Sequence, residues 1–263
     1  MTSGAGGVVA VFAHPDDESL LAGGTLAACA AAAREVTILS MTRGEEGPIS
    51  DGSVTRAGLG AVRERELRAA ADELGATSAR CLDYADGQLE SQPEERVARE
   101  LAALIDAARP AVVVSFGPEG LYWHEDHVAV HRFARSALEL TTVDPSPELD
   151  QATWPQGRMA DLVGEMAARG LPTDLWGLDA EAFGAPPSSI DLVLDVEPFL
   201  DAKLRALRCH RSQLGAGHLL AEMPEDLARR FLGTEYFIGG ELPHSALARL
   251  VGGAVGARAP EHR

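Results

Sequence analysis

Lysine is nearly missing from this chain. Of 23 basic residues only Lys203 is not an arginine, and 40 acids bring the formal net charge to −17. That balance argues against a nucleic-acid partner, because phosphate-backbone binders carry basic patches. With the heavy use of alanine, the scarcity of lysine reads as coding bias and carries no functional weight. Cysteine is scarce too. Cys29, Cys81 and Cys209 are odd in number and include no Cys-x-x-Cys pair, so they read as thiols of a reducing compartment rather than disulfides or metal ligands. No long apolar run is present: Ser19–Ala33 is uncharged, but Gly23-Gly24 interrupts it and it falls short of the roughly 20 residues that span a bilayer. The first seven residues lack both the basic and the long apolar parts of a signal peptide. These absences point to a cytoplasmic protein with neither a membrane nor a nucleic-acid partner, and they leave a homo-oligomer open.

What is present is a rhythm. At 263 residues, 46% of them hydrophobic, the chain suits one α/β domain spanning 1–263. Strand-like runs at Val8–Phe12, Val36–Met41, Ala79–Leu82 and Ala111–Phe116 alternate with helical patterns at Leu20–Ala33, Arg63–Leu74, Glu94–Ala108 and Asp126–Leu140. Apolar strands without alternation imply a mostly parallel, Rossmann-like sheet with helices on both faces. From Thr141 to Ser189, prolines and the isolated Trp154 and Trp176 predict an irregular excursion. A strand at Ile190–Val196 and a helix at Pro198–Cys209 follow, and 252–263 reads as a flexible tail.

Two clusters do not look like core. Ala13-His14-Pro15-Asp16-Asp17-Glu18 follows the first strand, and His124-Glu125-Asp126-His127 follows the Ala111–Phe116 strand. Clustered carboxylates at a buried strand end raise one another's pKa values unless a cation or bound water relieves them, and a divalent metal does so directly. In parallel α/β sheets, ligands bind beyond the carboxyl ends of the strands, where both clusters sit. His14 and Asp17 stand three apart across a turn, and so do His124 and His127 at a helix start. Imidazole and carboxylate ligands with an open position are the pattern of a catalytic zinc. Asp16 is then the spare carboxylate that can act as general base, and His124 the spare imidazole for an oxyanion or a leaving amine. The competing reading, in which the acids merely cap the following helix, explains one cluster better than two at matching strand ends.

The pair of motifs closely resembles the LmbE-like (PIG-L) zinc-dependent N-deacetylases. Thr42-Arg43-Gly44-Glu45-Glu46-Gly47, Arg63-x-x-Glu66-Leu67 and His210-x-Ser212-Gln213 extend the resemblance over most of the chain. It implies metal ligation by His14, Asp17 and His127, with Asp16 as base and His124 as electrostatic or acid partner oriented by Asp126. Tyr122 stands where some sugar-deacetylating members polarise the substrate carbonyl. Arg63 and Asp86 resemble residues that grip sugar hydroxyls, while Glu45 and Glu46 are expected at the mouth of the site. Glu125 departs from the family, which usually has proline there. His131 is expected to be buried behind the ligands, and His210 and Gln213 to pack or cap.

The activity implied is hydrolysis of an N-acyl amide, most simply N-acetyl, on a small polar substrate such as an N-acetylglucosamine derivative. A thiol-conjugate amidase of the same family is the near alternative. Two alternatives come from other classes: an Fe(II) oxygenase, since two histidines and a carboxylate also describe that centre, and a non-catalytic sugar-binding relative. Strand–helix alternation disfavours the first, and the presence of Asp16 and His127 the second.

Overall fold

The computed structural model describes residues 6–50, 52–175, 177–215, 218–240 and 242–260, so Trp176 lies outside the described residues. The first half alternates regularly: β1 (Val8–Phe12), α1 (Asp17–Ala31), β2 (Val36–Thr42), α2 (Arg56–Leu74), β3 (Ser78–Tyr84), α3 (Glu94–Ala108) and β4 (Val112–Phe116). A single kinked turn, α4 (Gly120–Trp123), leads into α5 (Glu125–Leu140), β5 (Glu148–Thr153) and α6 (Arg158–Ala168). The rest comprises β6 (Leu192–Asp195), α7 (Leu200–Cys209), α8 (Glu225–Leu232), β7 (Thr234–Ile238), α9 (Ala246–Leu250) and β8 (Gly256–Arg258). No described helix is long and apolar enough to cross a membrane.

The eight strands among the described residues form one sheet, in the order β3-β2-β1-β4-β5-β7-β6-β8. The strands from β3 across to β5 pair in parallel, whereas β7 is antiparallel to both β5 and β6, and β8 to β6. β1 and β4 are apolar but for Ser115 and buried along their whole length, as strands covered by helices on both faces must be. Helix ends follow local chemistry. α2 stops at Gly75, whose left-handed backbone (φ 71) lets the N–H groups of Gly75 and Ala76 close back on Asp72 and Ala71. α3 opens behind Pro93 with Glu94 and Glu95 in its first turn, where acids meet the positive end of the helix dipole.

The one lysine has a buried task. Lys203 on α7 donates to Glu235 on β7 at 2.6 Å, both side chains being 1% exposed. Glu235 also accepts from the backbone N–H groups of Gly24 and Thr25 on α1. Gly24 is glycine for this reason: a Cβ there would stand 2.5 Å from that of Val196 and 3.2 Å from the Glu235 carboxylate.

Two expectations are corrected. The 141–189 excursion contains β5, which pairs with β4 from Glu148 to Ala152, and the three-turn α6. Its regularity is hidden because β5 reads Glu-Leu-Asp-Gln-Ala-Thr. The end of the chain is no loose tail either: Gly256–Arg258 adds an exposed edge strand to β6, held by backbone pairing that needs no apolar side chain; residues 261–263 lie outside the described residues.

Asp150, in the middle of β5, is fully buried, and neither carboxylate oxygen has a hydrogen-bond partner among the described residues. Burial, helped by Glu148 and Asp191, raises its pKa to about 7. A carboxyl raised on folding stabilises the fold below the ordinary carboxylate range, and that contribution is lost as pH climbs toward 7. Asp150→Asn should therefore gain about 2–3 kcal/mol more, relative to the parent, at pH 8 than at pH 5. Urea unfolding of both proteins at the two pH values checks this, and parallel pH profiles would show that Asp150 does not titrate on unfolding.

Candidate active site

The strand order reverses between β1 and β4: successive crossovers run outward from β1 to β2 and β3, and then return to place β4 on its other side. At this reversal the C-terminal ends of the two strands open a crevice. His14, Asp16 and Asp17 enter it from β1, and Tyr122, His124 and His127 from β4, α4 and the start of α5.

The turn after β1 is held in a conformation that a non-glycine residue rarely adopts. Asp16 has φ 122 and ψ −29. Such backbone costs about 1–3 kcal/mol and persists only where its surroundings enforce it, and here they do. Glu18 Oε2 accepts from the Asp16 N–H at 3.0 Å. The other Glu18 oxygen accepts from Ser19 Oγ at 2.6 Å and contacts His210 Nε2 at 3.0 Å. Glu18, Ser19 and His210 are all fully buried. Burial acts against the charge on both Glu18 and His210, but the pairing overrides it: the carboxyl is held below its ordinary pKa and the imidazole above. His210, 192 residues from Glu18, thus braces the turn through a contact no local spacing announces.

The two imidazoles have settled orientations. His127 Nδ1 lies 3.1 Å from the Gly120 carbonyl, which can only accept, so Nδ1 carries the proton and Nε2 is free. His14 Nε2 lies 3.0 Å from Asp86 and 3.4 Å from Asp126, both carboxylates, so it is Nε2 that donates. The remaining nitrogens, His14 Nδ1 and His127 Nε2, face each other at 3.1 Å. Asp17 stands 3.5 Å from the first and 3.6 Å from the second. In their neutral forms both nitrogens present lone pairs, and a cation has to lie between them. It is either a proton or a metal ion. Burial opposes a proton on His14, but Asp126, Asp17 and Asp86 outweigh it and raise its pKa, while burial lowers that of His127 to about 3. Ligands about 2.0–2.1 Å from a tetrahedral ion stand about 3.3 Å apart, close to the spacings seen here.

Two other groups of three possible ligands also converge, His14 with His124 and His127, and His14 with Asp86 and Asp126. In the second, the carboxylates are already engaged. Asp126 accepts from the backbone N–H groups of Gly87 and Leu89, and Asp86 from that of Glu46. They act on His14 by fixing its ring. Burial pushes the Asp86 carboxyl up, but the His14 hydrogen bond prevails and brings it down to about 2.

Several expected roles shift once partners are visible. Arg63 is 3% exposed, and its donors go to the Gly44 and Pro15 carbonyls and to Asp16 Oδ2 at 3.1 Å; only Nε is without a partner among the described residues. It braces Asp16 more than it reaches outward. Gly44, at φ 62, must lack a side chain, because a Cβ would fall 2.3 Å from the Arg63 guanidinium. Asp86 has both oxygens engaged as well. Glu46 lines the pocket, whereas Glu45 does not: it accepts from the Asp86 N–H. Asp126 orients His124 through its backbone N–H, which caps His124 Nδ1 at 3.2 Å, and not through its carboxylate, which the helix start turns toward His14. His124 is therefore the N-cap of α5, and Glu125 stands at the first helical position, where an acid is as suitable as a proline. His131 is buried against the Phe116 carbonyl at 3.0 Å, and Gln213 donates to the Pro48 carbonyl.

Asp16 keeps 24% of its side chain accessible. Burial among neighbouring acids raises its pKa to about 6, although Arg63 opposes the rise. Tyr122 lies between Leu121 and Trp123, both at positive φ, and its ring meets those of His124 and His127 edge-on, with centroids 5.7 and 5.2 Å away.

Residues 9–138 match the family model described as PIG-L: GlcNAc-PI de-N-acetylase. A 1D-myo-inositol 2-acetamido-2-deoxy-alpha-D-glucopyranoside deacetylase of Acidothermus cellulolyticus is 32% identical over 253 residues, covering 87% of this chain and 86% of its own length. The chain belongs to the PIG-L (LmbE-like) family. Among solved structures, the N,N'-diacetylchitobiose deacetylase from Pyrococcus horikoshii matches this PIG-L protein with a TM-score of 0.62 at 20% identity, over 90% of this chain and 83% of the other. The 4-carboxy-2-hydroxymuconate hydratase from Pseudomonas putida KT2440 matches with a TM-score of 0.61 at 18% identity, over 89% and 95%. These two likenesses show the fold. Since a deacetylase and a hydratase share it, the reaction of the PIG-L chain has to be argued from its site.

Proposed function

We propose that this chain is a divalent-metal-dependent hydrolase that removes the N-acyl group from an N-acetylglucosamine derivative. The observation that carries the reading is the pair of lone-pair nitrogens, His14 Nδ1 and His127 Nε2, 3.1 Å apart with Asp17 against both. Two imidazoles and one carboxylate fit zinc, and Fe(II) shares that donor set. His14, Asp17 and His127 would hold the ion. When bound, such an ion lowers the pKa of a coordinated water to about 7 and polarises a carbonyl. The name of the Acidothermus relative supports an acetamido sugar as substrate.

The side chains supply the rest. Arg63 fixes Asp16 Oδ2, which leaves Oδ1 uncommitted among the described residues and able to take the proton of the attacking water. His124, whose Nδ1 accepts from the Asp126 N–H, keeps its proton on Nε2 and donates a hydrogen bond to the developing oxyanion, while the proton that Asp16 takes from the water passes on to the leaving nitrogen. Burial keeps the Tyr122 phenol protonated, so it donates to the carbonyl oxygen as charge develops there.

Elemental analysis of the purified protein should find one divalent ion per chain, and the loaded protein should release acetate and a primary amine from N-acetylglucosamine derivatives. His127→Ala should lose most of the ion and the activity together. Full metal content in that variant would remove His127 from the ligand set, and failure to release amine from any such amide would overturn the hydrolase reading.

A further inference from the structure

The crevice widens into a pocket of about 350 Å³ whose two flanks differ in chemistry. On the β2–β3 side Arg63, Glu46 and Asp86 supply its charged groups, with Arg63 and Asp86 already bonded within the protein, and Pro48, Leu207, Leu214 and Leu220 add to the lining. On the β4–β5 side it is lined by Tyr122, Phe183, Trp154, Met159 and Leu175. Phe183, Trp154, Met159 and Leu175 are 2–4% exposed, and with Tyr122 they offer only a phenol and an indole as polar groups. The apolar flank begins at the reacting centre. The Tyr122 ring meets those of His124 and His127, its centroid lies 4.9 Å from that of Phe183, and the Phe183 centroid lies 6.1 Å from that of Trp154.

Sugar hydroxyls laid on such a surface would lose their hydrogen bonds to water and gain none. They belong on the polar flank, and the apolar flank needs an apolar occupant. A single acetyl methyl would cover no more than the edge of Tyr122. In an acylated glucosamine two groups could extend further, the acyl chain and a substituent at the anomeric carbon. The first carbon of the acyl chain is bonded directly to the carbon under attack, whereas an anomeric substituent is separated from it by the amide nitrogen, two ring carbons and the glycosidic oxygen. A wall that starts at Tyr122, against the histidines, is placed for the acyl chain.

We propose that the wall formed by Tyr122, Phe183, Trp154, Met159 and Leu175 is an acyl-chain subsite, and that the amide this enzyme prefers carries a medium-length aliphatic or aryl acyl group larger than acetyl. The inference rests on the hydrolase reading above and names its substrate class. The reaction is unchanged in form. Water oxygen bonds to the acyl carbon, the carbon–nitrogen bond breaks, the nitrogen leaves protonated as an amine, and the longer carboxylate is released.

The test is a substrate series on the metal-loaded parent enzyme: glucosamine N-acylated with acetyl, butanoyl, hexanoyl or octanoyl, alongside octyl N-acetylglucosaminide. kcat/KM should rise along the acyl series by about fourfold per buried methylene until the wall is filled. Met159→Trp, which fills the flank, should lower the hexanoyl-to-acetyl ratio of kcat/KM at least tenfold. A flat or falling acyl series with measurable acetyl cleavage overturns the subsite and leaves the hydrolase reading intact. A gain confined to the octyl glycoside assigns the wall to the anomeric substituent and also overturns it. No turnover of any amide overturns both.

Discussion

Asp16→Asn is expected to retain its metal and its fold while kcat falls by about 10²–10⁴-fold, the usual contribution of a positioned general base. The substitution is close to an isolated test of proton acceptance. Asn keeps an oxygen for the Arg63 contact at 3.1 Å. It also keeps the backbone N–H that Glu18 receives, and it belongs with Asp among the residues enriched at positive φ. What it loses is a site for the proton of the attacking water. Metal content, circular dichroism and steady-state kinetics measured on one preparation would decide the matter. A kcat close to that of the parent, with metal confirmed, would mean that another group takes the proton.

The second large effect concerns stability. Lys203→Met should destabilise the fold by about 3–5 kcal/mol, because it leaves Glu235 charged and buried without its cation. For a chain of this size that corresponds to a melting temperature lower by roughly 10 °C. The loss should be cooperative with its partner: adding Glu235→Met to Lys203→Met should recover much of it, since an apolar pair of similar volume is often no worse than a buried ion pair. Glu235 also receives the N–H groups of Gly24 and Thr25 on α1, so recovery should be incomplete. Denaturant unfolding of the two single variants and the double variant gives the coupling directly. Additive losses would show that the ion pair does not act as a unit.

How far the sequence could be read depended on where the physics was local. β1 and β4 were legible because burial on both faces demands unbroken apolar runs, and Val8–Phe12 and Ala111–Phe116 supply them. β5 was not, because its register on β4 is set by backbone pairing while its side chains include Glu148, Asp150 and Gln151. β7, α8 and β8 were missed for similar reasons: short elements at a mixed edge carry little periodicity. In the site, the local spacing of His14 with Asp17 and of His124 with His127 was visible. What surrounds them was not. The Gly120 carbonyl that fixes His127, the His210 contact to Glu18 and the wall from Trp154 to Phe183 are made by the fold, across separations that leave no pattern in the chain. Arg63 was singled out as a residue that grips sugar hydroxyls, but its partners, which decide what it does, could be known only in three dimensions.

The burial of Lys203 has a practical side as well. With the only lysine ammonium 1% exposed, the folded protein shows amine-reactive dyes no accessible lysine side chain. Hydrolysis of an acylated amino sugar creates a primary amine. Product can therefore be followed by direct derivatisation in the presence of enzyme with little background from lysine. The same reagent, applied without substrate, will mark Lys203 only in molecules that have opened around α7.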